Sequence, residues 1–257
     1  MFVEAVAAQP RPAVAPDWRK ARPDFPVSSR RLPSPRGVTL RATEERHSRM
    51  RPSGSALLHP SDITTFDDSP APPGQSPFVS GHGPMTEFGI AAYNASWPAW
   101  YERLADLIRR ALGPAVLALD HVGSTAVPGL DAKPIIDVDL TVADGSVEAI
   151  YVPALEAVGF QLIGREPWWY GHRLLRRREP ACNLHVWSPD CPEAARHLIF
   201  RDWLRANPDE RELYLRAKRA ASEQTMAAAG DVDAYNAHKQ AVIRQIYGRA
   251  FTALGLA

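Results

Sequence analysis

The chain has 257 residues and a formal net charge of +1, with 45% hydrophobic and 23% charged residues. That length suits one large domain or two small ones, and the balanced charge excludes a global pull toward nucleic acid. No apolar run reaches the length of a membrane span, and no compact apolar stretch follows basic residues at the N-terminus. Cys182 and Cys191 lack metal-site companions, so two reduced thiols in a cytoplasmic protein are the expected reading.

More than half of the 24 prolines precede Met85, interleaved with arginine, serine and alanine, and hydrophobic residues such as Trp18 and Phe25 stand alone there. Such a segment cannot bury enough surface to offset chain entropy. Residues 1–84 are therefore expected to form a disordered Pro/Arg-rich tail, and 85–257 the folded domain. The arginines between Arg11 and Arg51 suggest a nucleic-acid or targeting segment, but Asp17, Asp24, Glu44 and Glu45 dilute both ideas. A native start at Met85 also fits the abrupt change in composition.

From Gly89 the pattern becomes regular. Residues 89–93 read as a short strand, and Ser96 caps a helix through Leu112, with Trp97 and Pro98 at its start and Gly113 at its stop. Leu104, Leu107, Ile108, Ala111 and Leu112 supply its apolar stripe. Strands are expected at 115–122 and 134–142, a helix at 147–158, and strands again at 160–165, 171–177 and 182–188. Helices at 192–206, 209–228 and 231–254 finish the chain, the last striped by Val242, Ile243, Ile246, Tyr247, Ala250 and Phe251. This order implies an α/β (α+β) mixed sheet with flanking helices and a helical C-terminal part.

The chemistry concentrates between His121 and Val142. In the second strand Ile136, Val138, Leu140 and Val142 point one way, while Asp137, Asp139 and Thr141 point the other. At a separation of about 5 Å and an effective dielectric of about 20, the two carboxylates would repel by about 3 kcal/mol. Such a pair takes up a proton or a cation, and a hard oxygen-liganded ion such as magnesium suits it. Aspartates at alternate positions are also ordinary on a half-exposed strand. In the turn before the strand, Gly123 permits a conformation closed to other residues, and the Ser124 hydroxyl with nearby backbone N–H groups suits a phosphate.

This arrangement resembles the signature of the DNA polymerase beta nucleotidyltransferase superfamily: Gly-Ser, about ten residues, then Asp-x-Asp between apolar positions. The longer string, Gly-Ser-Thr-Ala-Val-Pro-Gly-Leu with Ala-Lys-Pro-Ile-Ile-Asp, resembles the GrpB family within it. The resemblance spans Glu87 to Phe251 and includes Trp97 and the Phe200-Arg-Asp-Trp-Leu run. It implies a nucleotidyltransferase-like domain in which Ser124 contacts phosphate and Asp137 with Asp139 holds magnesium. Superfamily members usually carry a third carboxylate on a later strand. The matching stretch here, Cys182-Asn-Leu-His-Val-Trp187, offers His185 and no acid. His185 is then a candidate general base, a metal ligand or a structural residue.

Lysine is scarce, at four against twenty-six arginines, yet Lys133 immediately precedes the carboxylate strand and is expected by that position to contact the nucleotide phosphates. Tyr214 with Lys218 and Tyr235 with Lys239 are spaced to share a helix face, so each could hold a base and a phosphate or simply line a helix shoulder. In the Trp168–Arg178 hairpin the arginine run reads as solvated, with His172 and Arg173 at a pocket rim. His121 is expected to orient the Gly-Ser loop, and Arg201 with Asp202 to form an ion pair or a brace to the sheet.

The combined reading is a magnesium-dependent enzyme acting on a nucleoside triphosphate and an unknown acceptor. A non-catalytic nucleotide- or coenzyme A-binding module is the alternative, since GrpB-like domains also occur fused to dephospho-coenzyme A kinase and no Gly-x4-Gly-Lys-Ser/Thr loop appears here. An RNA-binding protein is the lesser alternative, no membrane partner is expected, and protein partners stay unassigned. Mass spectrometry of the native N-terminus tests the Met85 start: the mature chain should begin there, and any peptide from upstream defeats the idea.

Overall fold

The computed structural model describes residues 58–85 and 89–256. Of the tail expected over residues 1–84, residues 1–57 lie outside the described residues.

Five strands form one mixed sheet in the order β1-β2-β5-β4-β3. These are β1 (Ala118–Val122), β2 (Ile136–Thr141), β3 (Phe160–Glu166), β4 (His172–Arg177) and β5 (Cys182–Trp187). β2 and β5 run parallel, and every other neighbouring pair is antiparallel. The helices are α1 (Pro60–Thr64), α2 (Trp97–Leu112), α3 (Val152–Ala157), α4 (Pro192–Ala206), α5 (Pro208–Ala227) and α6 (Val232–Leu254). The expected mixed sheet with flanking helices and a helical C-terminal part is the architecture present. Local differences are small. The strand expected at 89–93 is only a bridge between Ala91 and Ala132. The start of the 115–122 segment is taken up by a 3-10 turn at Gly113–Ala115, and the helix expected from 147 begins as another at Glu148–Ile150.

The alternation in β2 divides the molecule. Ile136, Val138 and Leu140 are fully buried against Trp97, Leu104, Ile108 and Leu112 of α2, together with Leu184 and Val186 of β5. Each such aliphatic contributes about 1.5–3 kcal/mol by leaving water. The opposite face of β2 carries Asp137 and Asp139, and α4 to α6 pack on that side. A second apolar cluster of Val127, Leu130, Leu204, Tyr214 and Ile246 ties these helices to the loop after the Gly-Ser turn. Among the described residues, no helix is long and apolar enough to cross a membrane.

Packed structure begins upstream of Met85, which moves the boundary drawn from composition. His59 and Asp62 form a capping box at the start of α1. At its end, Arg196 Nη1 donates to the carbonyls of Asp62, Ile63 and Thr65 at 3.0–3.1 Å. Phe66 then lies against Tyr247 and Phe251, with the Arg196 and Arg244 guanidiniums over its ring. Farther on, Phe78 bridges Gly164, and Arg165 N donates to Pro77 O at 2.8 Å, so this segment covers part of the β3 edge. A few anchors spaced along an irregular segment leave no periodicity in the sequence. Arg196 is fully buried, and its donors are used by the carbonyls of residues 62, 63 and 65, Glu193 and Tyr170. Arg196→Ala is expected to cost about 3–5 kcal/mol in urea unfolding of the full chain; an unchanged midpoint would remove the anchoring role.

Candidate functional site

The site is built on the polar face of β2 and β5. Their register pairs Asp137 with Asn183 and Asp139 with His185, so alternation brings these four side chains to one face. The two carboxylates are treated differently. Asp137 Oδ1 accepts from Asn183 Nδ2 at 2.9 Å, and Asn183 Oδ1 in turn accepts from Arg176 Nε at 3.3 Å. Burial raises the Asp137 carboxyl above the usual carboxylate range, despite the opposing hydrogen bond and the charges of His197 and Lys239. Asp139 accepts from Trp187 Nε1 at 3.0 Å on one oxygen and meets His197 Nδ1 at 2.9 Å on the other. Burial opposes its ionisation as well, but the charge and hydrogen bond of His197, with His185 and Trp187, hold it below the usual range.

The Gly-Ser turn meets the first carboxylate. Gly123 sits at φ 67°, and an added Cβ would overlap the Asp137 carboxylate, so glycine is required here for conformation and for close approach alike. Ser124 opens a 3-10 turn to Ala126, and its hydroxyl is in hydrogen-bonding contact with Tyr214. His121 takes the loop-orienting place expected of it: its Nε2 lies 3.0 Å from Thr125 Oγ1, and Tyr101 stacks on its ring at 4.8 Å. Burial, with Arg205 and Arg201 nearby, pushes His121 down to about 4 and keeps it neutral. Arg201 both pairs with Asp202 and braces β1, donating to Asp202 at 2.8 Å and to His121 O at 3.0 Å.

Lys133, Lys218 and Lys239 converge beside this turn although they come from a loop and two helices. Lys133 Nζ lies 4.1 Å and Lys239 Nζ 4.3 Å from the centre of the Tyr235 ring. Lys218 Nζ donates to Asp131 O at 2.8 Å and lies 5.5 Å from the Tyr214 ring. All three ammonium groups feel one another and Asp137. Burial leads in lowering them, to about 8 for Lys133, about 7 for Lys218 and about 8 for Lys239. Both tyrosine–lysine pairs thus face inward rather than lining a solvated shoulder.

His185 is hydrogen-bonded through Nδ1 to His172 Nε2 at 3.0 Å, and burial together with His172 pushes it down to about 3. His172, expected at a pocket rim, is 4% exposed and stacks on Trp187 at 4.4 Å. The arginine run is not a solvated set. Arg176 reaches Asn183 and Arg177 donates to Val158 O, while Arg178 is exposed. Arg173 is also interior, paired with Glu148 at 2.6 Å. Both cysteines are free, buried thiols. Sequence reasoning missed His197, which approaches from α4; its i,i+4 spacing from Glu193 is the only local signal, and that spacing is common on any helix.

Two carboxylates on one face suit a hard cation. Each oxygen of Asp139 and Oδ1 of Asp137 accept one hydrogen bond, and a carboxylate offers about four lone-pair positions, so acceptor capacity remains. Among the described residues, no group of three or more His, Cys, Asp or Glu side chains is arranged to hold a metal. An ion here would draw its other ligands from water and phosphate, as magnesium does.

A mixed sheet with a Gly-Ser turn beside an Asp-x-Asp strand defines an α/β domain of the nucleotidyltransferase type. The sequence profile described as GrpB protein matches residues 87–249, and the chain belongs to that family. It is 44% identical over 161 residues to a UPF0157 protein of Halalkalibacterium halodurans, covering 63% of this chain and 81% of the relative. A UPF0157 protein of Streptomyces coelicolor is 42% identical over 175 residues, covering 68% and 90%. A protein named dephospho-CoA kinase from Mycolicibacterium paratuberculosis is 34% identical over 182 residues, which cover 60% of this chain and 44% of that longer one. The crystal structure of conserved protein GrpB from Enterococcus faecalis superposes with a TM-score of 0.55 at 27% identity, covering 64% of this chain and 98% of that one.

The His197–Asp139 pair makes stability pH-dependent. Burial disfavours charge on His197, but Asp139, its hydrogen bond and Glu193 outweigh it and raise His197 to about 9 from 6.5. A raised folded-state value stabilises fully below the unfolded value, and that stabilisation is lost as pH rises through about 9. The stability gap between wild type and His197→Gln should therefore be widest near pH 6 and shrink by about pH 10 in urea unfolding. A gap constant across that range would show that no charged pair forms.

Proposed function

We propose that the protein is a magnesium-dependent nucleotidyltransferase acting on a nucleoside triphosphate. The observation that carries this reading is the meeting of three lysines, Lys218 buried and Lys133 and Lys239 half-buried, with the Gly123–Ser124 turn and Asp137. Three mutually repelling ammonium groups, with Asp137 and the Asp131 region as their acidic neighbours, form a site that a multiply charged phosphate chain would relieve. Ser124 and the turn N–H groups would bind the terminal phosphates, and the lysines would neutralise their oxygens without a bulky hydration shell. Asp137 and Asp139 would hold magnesium, which when bound supplies charge neutralisation at the phosphate under attack. Attack by an acceptor hydroxyl on the α-phosphorus releases pyrophosphate, and His185 would receive the hydroxyl proton.

A second reading, a nucleotide- or coenzyme A-binding module without turnover, is favoured by the protein contacts that both Asp139 oxygens already make, with Trp187 and His197. The likeness to a longer protein named dephospho-CoA kinase points the same way. The hairpin lends nothing to the RNA-binding reading, because Trp169 packs on His172 and Trp187 and arginines 173, 176 and 177 make contacts within the domain.

Thermal stabilisation of the full chain by nucleoside triphosphates, nucleoside monophosphates and coenzyme A, each with and without magnesium, tests the proposal. A triphosphate at about a hundred times its Kd stabilises by about 2.7 kcal/mol, and monophosphates should fall well below it. Asp137→Asn should abolish the magnesium-dependent part, and Lys239→Gln should weaken triphosphate binding with or without the metal. Pyrophosphate release accompanying stabilisation selects the transferase over the binding module. Equal magnesium dependence in wild type and Asp137→Asn would overturn the metal role, and no response to any nucleotide would overturn the reading.

A further inference from the structure

We propose that Glu166 and His172 are positioning residues that fix the tautomer of His185, leaving its Nε2 unprotonated toward the carboxylate site and giving a proton taken there a route out to the hairpin. Two contacts in series carry this inference. Glu166 Oε2 lies 2.7 Å from His172 Nδ1, and His172 Nε2 lies 3.0 Å from His185 Nδ1. His172 stacks on Trp187 at 4.4 Å, the His185 ring lies edge to edge with His172 at 5.2 Å and nearly in its plane, and Trp169 closes the His172 edge at 5.4 Å. Trp187 and Trp169 hold the His172 imidazole, and its hydrogen bond orients the His185 ring.

The proton positions follow from the donor and acceptor roles. An ionised carboxylate only accepts, so the nitrogen of His172 facing Glu166 carries hydrogen. A neutral imidazole has one N–H, so His172 Nε2 is then an acceptor and His185 must donate to it from Nδ1. The remaining nitrogen of His185, Nε2, keeps its lone pair. The β2–β5 register sets this ring beside Asp139, on the face that Asp137 shares.

The relay also answers the lack of a third acid on β5. His185 alone is a poor resting place for charge, since burial and a neighbouring imidazole both oppose it. When Nε2 takes a proton from an acceptor hydroxyl, the O–H bond breaks and its electron pair turns to phosphorus. The Nδ1 proton passes to His172 Nε2 in the same exchange. His185 ends neutral with its proton on Nε2, and the positive charge rests on His172 beside the Glu166 carboxylate. Glu166 is 29% exposed, so that charge reaches the solvent boundary. Glu166 thus acts through two rings, much as the acid of a catalytic triad acts through one.

The catalytic consequence rests on the base role proposed for His185, but the tautomer does not, and it is measured without any nucleotide. Long-range proton–nitrogen NMR of the full chain labelled with nitrogen-15 histidine distinguishes protonated from unprotonated ring nitrogens. The wild type is expected to show His185 protonated at Nδ1 with a pyridine-type Nε2, and His172 likewise. His172→Phe keeps an aromatic ring on Trp187 but removes the acceptor, and should move the His185 proton largely to Nε2. Glu166→Ala, at the rim and outside the core, should shift both histidines in the same direction and carries the test if His172→Phe does not fold. A wild-type His185 protonated at Nε2, or one whose tautomer both variants leave unchanged, overturns the proposal. A failure of the nucleotide panel with the expected tautomers present would sink the transferase reading alone.

Discussion

The burial of two carboxylates on β2 governs the rest of this structure. Asp137 and Asp139 face away from an apolar layer that leaves the strand no freedom of register, because a slip by one residue would drive both acids into the core. Once the strand is set, the acids must be compensated where they stand, since an unpaired buried carboxylate costs far more than a folded domain can spare. Asp139 is met by Trp187 and by His197 from α4; Asp137 is met by Asn183 and faces the lysines. The helical C-terminal part therefore acts as the electrostatic lid of the sheet as well as its cover.

That division of labour explains why the two acids differ. Asp139 sits in a closed network whose members are satisfied by one another, which favours its charge and holds the His197 ring in place. Asp137 lies against the turn whose glycine allows backbone to approach it, and beside three lysines that each feel its charge. Lysines lowered by burial next to a raised carboxyl are shifted in the way that groups at ligand sites commonly are. The segment upstream of Met85 adds a further constraint. Through Arg196 it grips α4 one residue before His197, so the same helix is held from outside by α1 and from inside by Asp139.

Much of this was legible from residue pattern. The β2 alternation, the Gly123–Ser124 turn and the amphipathic stripes of α2 and α6 are short-range features, and the observed elements lie close to their expected limits. The inward-facing Tyr235–Lys239 pair was readable as a shared helix face, though not as a neighbour of Lys133. Three features were not readable. His197 reaches Asp139 across 58 positions, Arg176 turns toward the site because β4 happens to pair with β5 in that register, and residues 58–84 pack by isolated anchors with no repeat. Composition marked the last as tail because proline-rich sequence and irregular but docked structure look alike to it.

The amino-acid sequence by itself determined the periodic elements, the direction in which each side chain leaves its strand or helix, and the family to which the chain belongs, because these depend on neighbours a few residues apart. Only the tertiary structure decided which cations answer which carboxylates, how His185 is oriented through His172 and Glu166, and that residues upstream of Met85 pack on the domain. Those outcomes depend on strand order and helix docking, which bring together groups that no local spacing relates.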